Sequence, residues 1–331
     1  MPTNDSEKKI ILVVGGAGYI GSHMANMLAQ EDYQVLILDN FSTGHEKAVQ
    51  EFECIDGDIH DAVLLKKILN KKNIFAVMHF ASFIQVGESV KDPAKYYINN
   101  VSGTLNLLNE MKNANVNYFI FSSTAAVYGD PKYTPIDEFH SIQPINPYGK
   151  SKHMIEEVLP DFASSYHLKY FILRYFNASG ADPKNKFLGE CHTPETHLIP
   201  LVLKVAKGEF EHLAINGNDY DTADGTCIRD YVHVSDICQA HLLALKYLVS
   251  GGKNETANLG TGVGHSILDV VKVAEEVTGK EILIQYGARR SGDPAVLVAD
   301  PSYAKNILNW QPEYCALKTI VEHAWEFEKA H

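Results

Sequence analysis

The feature that most constrains this chain is a series of short, unbroken apolar stretches recurring between longer amphipathic ones. Residues 10–15, 34–39, 52–56, 75–81, 118–122 and 170–175 form the series. None shows the strict apolar–polar alternation of a half-exposed strand. Such runs suit strands covered on both faces, as in a parallel sheet. The segments between them, such as 22–30 and 61–70, are long enough for helices. Strand and helix alternating at this spacing predict an α/β fold built on a doubly wound parallel sheet.

After Asn177 the texture changes. Residues 178–192 are rich in Gly, Pro, Asp and Lys and read as a loop. Helical patterns follow at 197–207, 235–249, 266–278 and 316–329, with strand-like pieces at 231–234, 256–259 and 282–286. The glycines of 260–264 lack dinucleotide-loop spacing and read as a turn. The 331 residues therefore divide into a dinucleotide-binding domain at 8–177 and a smaller mixed α/β domain at 178–331. Some chain crossing between the two is expected.

Charge and cysteine content exclude several classes. Lys and Arg number 29 against 41 Asp and Glu, a formal net charge of −12. That is the wrong sign for nucleic acid or an anionic membrane, so neither is expected as a partner. No apolar run reaches the length of a membrane span. The polar stretch 1–9 does not read as a secretory leader. The five cysteines are scattered without a CxxC, which disfavours a disulfide framework or zinc ribbon and points to the cytoplasm.

The first apolar run leads into Gly15, Gly18 and Gly21, a GxxGxxG pattern. The first glycine permits a tight turn, the second a close approach to pyrophosphate, and the third packing of helix on strand. A helix N-terminus following such a turn favours phosphate. Asp39 comes eighteen residues after Gly21, at the end of the second run, where a carboxylate can accept from ribose hydroxyls. The loop after it, Asn40, Phe41, Ser42, Thr43 and Gly44, holds no Arg to meet a 2′-phosphate. NAD is therefore favoured over NADP. Tyr19 and Ile20 of the glycine turn join this cofactor set. Asp58 and Ile59, after the third run, stand where an adenine edge is read, although Asp58 also reads as a cap for the helix at 61–70.

A tyrosine and a lysine four residues apart share a helix face. A free phenol titrates near ~10, so a tyrosine base at neutral pH needs a depression of about 3 units, or about 4 kcal/mol. An adjacent lysine cation and a positive nicotinamide ring both favour phenolate. Two YxxxK matches occur. Tyr128 to Lys132 encloses Gly129 and Pro131 and cannot form a regular helical turn. Tyr148 and Lys152 follow Asn146 and Pro147 and lead into a helical pattern, which makes them the candidate pair. Thr124, at the end of the fifth run, adds a hydroxyl at the sheet edge where ligands of such folds bind, or else caps its own backbone.

With these residues the chain resembles the extended short-chain dehydrogenase/reductases, which carry a Rossmann domain, and among them the UDP-glucose (UDP-galactose) 4-epimerases. Matching stretches run almost end to end, from 15–23 through 121–129, 147–152 and 229–234 to 289–293. The resemblance implies interconversion of UDP-glucose and UDP-galactose through a 4-keto sugar, with NAD retained through turnover. Tyr148 would be the base, Lys152 would bind the nicotinamide ribose and lower the phenol pKa, and Thr124 would hold the sugar 4-oxygen. Phe80, Ala81, Ser82, Asn99 and Phe176 would line NAD. Asn177, His197, Leu198, Asn216, Arg229, Arg290 and Asp293 would hold the UDP-sugar, and Leu297 would face the sugar C2 position unless it is simply the core face of a short strand. The resemblance also implies a homodimer through helices at 93–112 and 148–166.

Three positions depart from common members of the family. Ile84 stands where some carry Lys, Asn216 where an aromatic packs on uracil, and His197 where some carry Asn. A dehydratase of the same fold would need an acid–base pair directly after Thr124, where this chain has Ala125 and Ala126. A non-catalytic NAD-sensing module would tend to lack Tyr148 or Lys152. A metal reading of Cys191, His192 and His197 is disfavoured, since no carboxylate–histidine spacing of a known site accompanies them, and no metal is expected. Asp39 makes one cofactor prediction: nucleotide released by denaturing the purified protein should be NAD, and a preponderance of NADP in the chromatogram would overturn that role.

Overall fold

The computed structural model describes residues 8–289 and 292–331. The six apolar runs become β1 (Ile10–Val14), β2 (Gln34–Asp39), β3 (Glu53–Asp56), β4 (Ile74–His79), β5 (Tyr118–Thr124) and β6 (Lys169–Tyr175). Several ends move, for local reasons. β1 stops at Val14 because Gly15 takes a left-handed φ of +78°. β4 stops at His79, not Ala81, because the Phe80 and Ala81 amides turn onto the Val14 carbonyl at 2.7 and 3.0 Å. β5 runs on from Ser122 to Thr124 because β6 pairs with it as far as Thr124 and Tyr175.

The later strands are β7 (Asn177–Ser179), β8 (Leu213–Asn216), β9 (Ile228–Arg229), β10 (Tyr231–His233), β11 (Glu255–Leu259), β12 (His265–Ser266), β13 (Ile284–Gly287) and β14 (Val296–Leu297). The strand-like piece at 231–234 gives up Val234 to a helix, since His233 accepts from the Ser235 amide as its cap. The piece at 282–286 shifts to Ile284–Gly287, since the Ile282 amide is held by Glu275. A seven-stranded sheet has the order β11-β6-β5-β4-β1-β2-β3. Every pairing in it is parallel.

The helices are α1 (Tyr19–Gln30), α2 (Ala62–Lys71), α3 (Val86–Lys91), α4 (Pro93–Tyr96), α5 (Thr104–Asn113), α6 (Pro147–Tyr166), α7 (Leu198–Lys207), α8 (Val234–Val249), α9 (Ile267–Thr278), α10 (Ser302–Leu308) and α11 (Leu317–Ala330). The helix expected at 93–112 is not continuous. Between α4 and α5 the chain widens into a π-helical segment, Tyr97–Gly103. There Asn100 clamps both backbone groups of Phe83 and reaches the Ser151 hydroxyl. Such widened turns cost hydrogen-bond geometry and cluster at functional sites.

Unbroken apolar runs serve two cores at once, because successive side chains of a strand point to opposite faces. Ile11, Val13 and Ile37 pack on one face with α1, α8 and α10. Leu12, Val14, Leu36 and Leu38 pack on the other with α2, α5 and α6. The elements α8, β11 and α10 lie beyond Asn177 in sequence yet cover or extend this sheet. A third core gathers α7, α9 and α11 around β8 and Tyr231.

One buried network ties α6 to the sheet. Glu156 of α6 accepts from Arg174 Nε and Nη2 at 2.9 and 2.6 Å and from the Ser123 hydroxyl. Arg174 Nη1 donates to the Tyr128 hydroxyl, which donates to Asn258 of β11. Tyr128, the decoy tyrosine, is thus a structural link, with Gly129 at φ +67° ending any helix there. Burial pushes the Glu156 carboxyl up, but bonds from His153, Arg174 and Ser123 prevail and hold it below the usual carboxylate range. Its stabilisation is therefore complete above the unfolded carboxylate pKa and lost as pH falls through the lowered folded value. Glu156→Ala strands a buried guanidinium and should lower stability by ~3–5 kcal/mol. Urea unfolding at neutral pH measures this, and a loss under ~0.5 kcal/mol, the size of an ordinary surface change, would contradict it.

Candidate active site

A cavity of about 460 Å³ opens along the carboxyl ends of β1, β2, β4, β5 and β6. It lies where strand order reverses, with β2 and β4 on either side of β1, the usual ligand crevice of an open α/β sheet. At one end is the glycine turn. A Cβ on Gly15 would sit 2.4 Å from the Ala81 amide nitrogen, and one on Gly21 would sit 2.1 Å from the Gly15 carbonyl oxygen. These positions bring the β1–α1 turn into direct contact with the end of β4. A Cβ on Gly18 would meet only the Gly15 carbonyl oxygen, at an ordinary 3.5 Å, so the backbone there is uncrowded and a phosphate can approach it. The donor set suits a dinucleotide.

Asp39 is buried and accepts from the Ala17 amide through one oxygen and from the Phe41 amide through the other, each at 2.8 Å. It therefore braces the glycine turn as well as facing the cavity. Burial raises its carboxyl despite these bonds. Tyr19, Ile20, Asn40, Ser42, Thr43, Asp58 and Ile59 line the cavity beside it. Asp58 is not the cap of α2. Asp61 is, accepting from the amides of Val63 and Leu64, while Asp58 accepts from Asn40 Nδ2 at 2.7 Å and from the His60 amide. Phe41 and Gly44 face a neighbouring cavity. A Cβ on Gly44 would press on Ala17.

Asn146 and Pro147 position the candidate pair. Asn146 caps α6 by accepting from the Gly149 amide at 2.8 Å, and Pro147 occupies the first turn, where a missing N–H costs nothing. Tyr148 and Lys152 follow on one face and line the cavity with Thr124, Phe80, Ala81, Ser82, Asn99 and Phe176. Lys152 Nζ donates to Ser82 Oγ at 2.6 Å and to the Ser122 carbonyl at 2.8 Å. Thr124 caps its own backbone, its hydroxyl accepting from the Ala126 amide, and the same side chain hydrogen-bonds the Tyr148 phenol. Burial pushes the phenol up to about 12, against the opposing Thr124 bond. Burial pulls Lys152 down to about 7, with Glu156 resisting. Both groups thus lean toward neutrality in the site as folded.

The far end of the cavity is lined by Asn177, His197, Leu198, Asn216, Arg229, Asp293 and Leu297. Arg229 is ion-paired to Asp293, and its Nη1 donates to the Ile228 carbonyl at 2.8 Å. Leu297 lines the cavity and also packs beside Phe176, as β14 lies parallel to β9. Arg290 lies outside the described residues. Ile84 lies in the wall between the two ends.

A cluster that the sequence grouped differently stands in this wall. Glu190, His192 and His197 offer ligand atoms within 4.8 Å of one another. Glu195 joins through His197, whose Nδ1 lies 2.8 Å from Glu195 Oε1. Cys191, grouped with the histidines in sequence, is exposed and contributes its carbonyl to His45 instead. The missed signal is the tandem Glu-x-His, at 190–192 and 195–197. Burial lowers His197, but the two carboxylates prevail and lift it to about 9. Glu190 is driven down to about 2, since the two imidazoles outweigh its burial.

A family model described as GDP-mannose 4,6 dehydratase matches residues 12–323. The chain is 49% identical over 321 residues to the UDP-glucose 4-epimerase of Halalkalibacterium halodurans, covering 97% of this chain and 96% of that one. Its fold superposes on crystalline UDP-glucose 4-epimerase from Brucella ovis in complex with NAD at a TM-score of 0.93 and 48% identity, covering 96% and 97% of the two chains. The corresponding enzyme from Bifidobacterium longum, in complex with NAD⁺ and UDP, superposes at 0.92 and 37% identity, covering 97% and 98%. Matched along nearly its whole length in sequence and in fold, the chain belongs to the UDP-glucose 4-epimerase family of extended short-chain dehydrogenase/reductases.

Proposed function

We propose that this chain is an NAD-dependent epimerase that interconverts UDP-glucose and UDP-galactose at the sugar C4. The observation that carries the reading is the grouping of Thr124, Tyr148 and Lys152 in one cavity wall, between the glycine turn and the Arg229–Asp293 pair. When bound, the nicotinamide supplies hydride acceptance from C4 and its return to the opposite face of the 4-keto sugar. The remaining work falls to the chain. The Tyr148 oxygen takes the proton of the sugar 4-hydroxyl and gives it back. Thr124 holds that oxygen and the substrate oxygen in one hydrogen-bonded line. Lys152, anchored by Ser82 and Ser122, bonds the nicotinamide ribose and supplies positive charge.

The buried phenol must fall from about 12 before it can act as a base. Positive charge at Lys152 and at the oxidised ring achieves this, so proton removal is coupled to the presence of the oxidant. The sugar nucleotide is gripped at the far end by Asn177, His197, Leu198, Asn216, Arg229 and Asp293, and Arg290, outside the described residues, is assigned to the same ligand by family resemblance. Its diphosphate anchors the ligand while the keto sugar turns over. Ala125 and Ala126 follow Thr124, where a dehydratase would place its acid and base. That distinguishes the epimerase reading from the family model's description.

In this reading residues before Asn177 serve the dinucleotide and Asn177 with the later cavity-lining residues serves the sugar nucleotide, whose sugar Thr124 and Tyr148 reach from the first domain. No helix among the described residues is long and apolar enough to cross a membrane. A cytoplasmic enzyme accords with that and with five cysteines that form no disulfide. Val90, Ile98, Met154 and Tyr166 lie exposed along 86–166 and suit a homodimer interface.

Two substitutions test the chemistry. Tyr148→Phe keeps the ring and removes the acid–base group, so turnover should fall by ~10²–10⁴ or more while NAD stays bound. Lys132→Met, at the exposed decoy lysine, should leave turnover near that of the parent. Near-normal turnover in a folded Tyr148→Phe enzyme would remove Tyr148 from the mechanism. Leucine at 297 leaves intermediate room beside the sugar C2 and offers no hydrogen bond to an amide. Plain hexoses should be preferred over N-acetylated ones, and Leu297→Tyr should suppress the N-acetylated activity further. Measuring kcat/KM for both substrate pairs in both proteins decides this, and an unchanged ratio would remove Leu297 from the control of substrate choice.

A further inference from the structure

We infer that Glu190, His192 and His197 form a binding site for a divalent transition metal of the zinc class. These three residues approach within ligand-sharing distance, each offering one donor atom within 4.8 Å of the others. Two imidazoles and a carboxylate are a donor set for Zn²⁺, with a fourth position left to solvent or ligand.

The charge balance supports an ion. Glu190 and Glu195 have side chains only 6% and 3% exposed. Among the described residues, the salt bridges of both carboxylates are to His192 and His197 alone, with no Lys or Arg. Each carboxylate also carries a buried oxygen, Glu190 Oε2 and Glu195 Oε2, without a hydrogen-bond partner. Glu190 Oε2 has only an ion pair with His197 Nδ1 at 3.5 Å; a buried charged oxygen without a hydrogen bond is costly, and a dication in contact with it offsets the charge of both acids. Glu195 has a different place. Its Oε1 lies 2.8 Å from His197 Nδ1, the nitrogen that also faces Glu190 Oε2 at 3.5 Å, so a cation taking the place of the Nδ1 proton sits between the two carboxylates.

Access is provided. Glu190 lines both the main cavity and the adjoining one, while His192 and His197 line the main cavity. The cluster also closes a segment with little regular structure. Between Ser179 and Leu198 the chain is held to the first half by the Tyr19 hydroxyl on the Gly180 carbonyl and by His45 on the Cys191 carbonyl. A metal joining residues 190, 192 and 197 cross-links this segment to the start of α7. Its role is structural: it fixes His197 in the wall of the sugar-nucleotide end of the cavity, and no step of the epimerisation passes through it.

The test uses the purified full-length enzyme with its nucleotide, stripped with a chelator and then dialysed against Zn²⁺ or Co²⁺. The parent protein should retain one equivalent of zinc by elemental analysis, melt at a higher temperature with zinc than with chelator, and show visible d–d absorption with cobalt. His192→Gln and Glu190→Gln should each weaken zinc binding by more than the ~10–100-fold typical of losing an outer partner. His192→Cys keeps a ligand, so it should retain zinc and add a thiolate-to-cobalt charge-transfer band. That variant and the parent's melting shift answer the question even if the Gln variants fail to fold. Absence of zinc uptake by the parent, uptake unchanged in folded His192→Gln, or no thiolate band in folded His192→Cys would overturn the site and leave a hydrogen-bonded carboxylate–imidazole cluster.

Discussion

The contact between the Gly15 turn and the end of β4 sets the rest of the molecule in order. There the Phe80 and Ala81 amides donate to the Val14 carbonyl, and a side chain on Gly15 would collide with the Ala81 backbone. The contact closes the two halves of the parallel sheet against each other at the point where strand order reverses. It also forces the β1–α1 turn to present bare backbone to the crevice. Asp39 secures the arrangement from the other side by accepting from Ala17. The nucleotide pocket, the placing of Ser82 beside Lys152, and the line from Thr124 to Tyr148 all depend on this junction.

The second constraint is electrostatic. Lys152 and Tyr148 are almost fully buried, and burial alone drives both away from the charged forms the chemistry uses. The fold resists this only in part, through Thr124 on the phenol and Glu156 on the lysine. Glu156 itself is committed to Arg174, so it holds helix to sheet while shaping the field around the lysine. Full ionisation of the pair therefore needs positive charge beyond what the folded chain supplies.

At the opposite end the site is assembled from distant pieces. Arg229 and Asp293 meet across 64 residues. β14 brings Leu297 beside Arg229, and the loop before α7 contributes His197 with its acidic neighbours. Apart from Asp293 and β14, these segments lie far apart in sequence, and each is short and irregular compared with the strands of the main sheet.

The chain's local chemistry determined a good deal by itself. The unbroken apolar runs specified doubly covered strands because one run must supply two cores. Asn146 and Pro147 specified where α6 begins, and so which of two YxxxK matches lies on a helix face. Glycine spacing and Asp39 specified the nucleotide end for similar local reasons. The tertiary structure decided what depends on non-local pairing. β11 and α8 return to the first sheet because Ala257, Leu259 and the apolar face of α8 bury against it; no pattern within 234–259 reveals which sheet they will join. The π-helical turn at 97–103 arises from Asn100 gripping Phe83, a contact seventeen residues apart. Likewise Glu190 and His192 read as loop residues in sequence and His197 as the start of a helix. Only folding removes them from water and faces two carboxylates toward two imidazoles, because burial and mutual approach are properties of the packed chain.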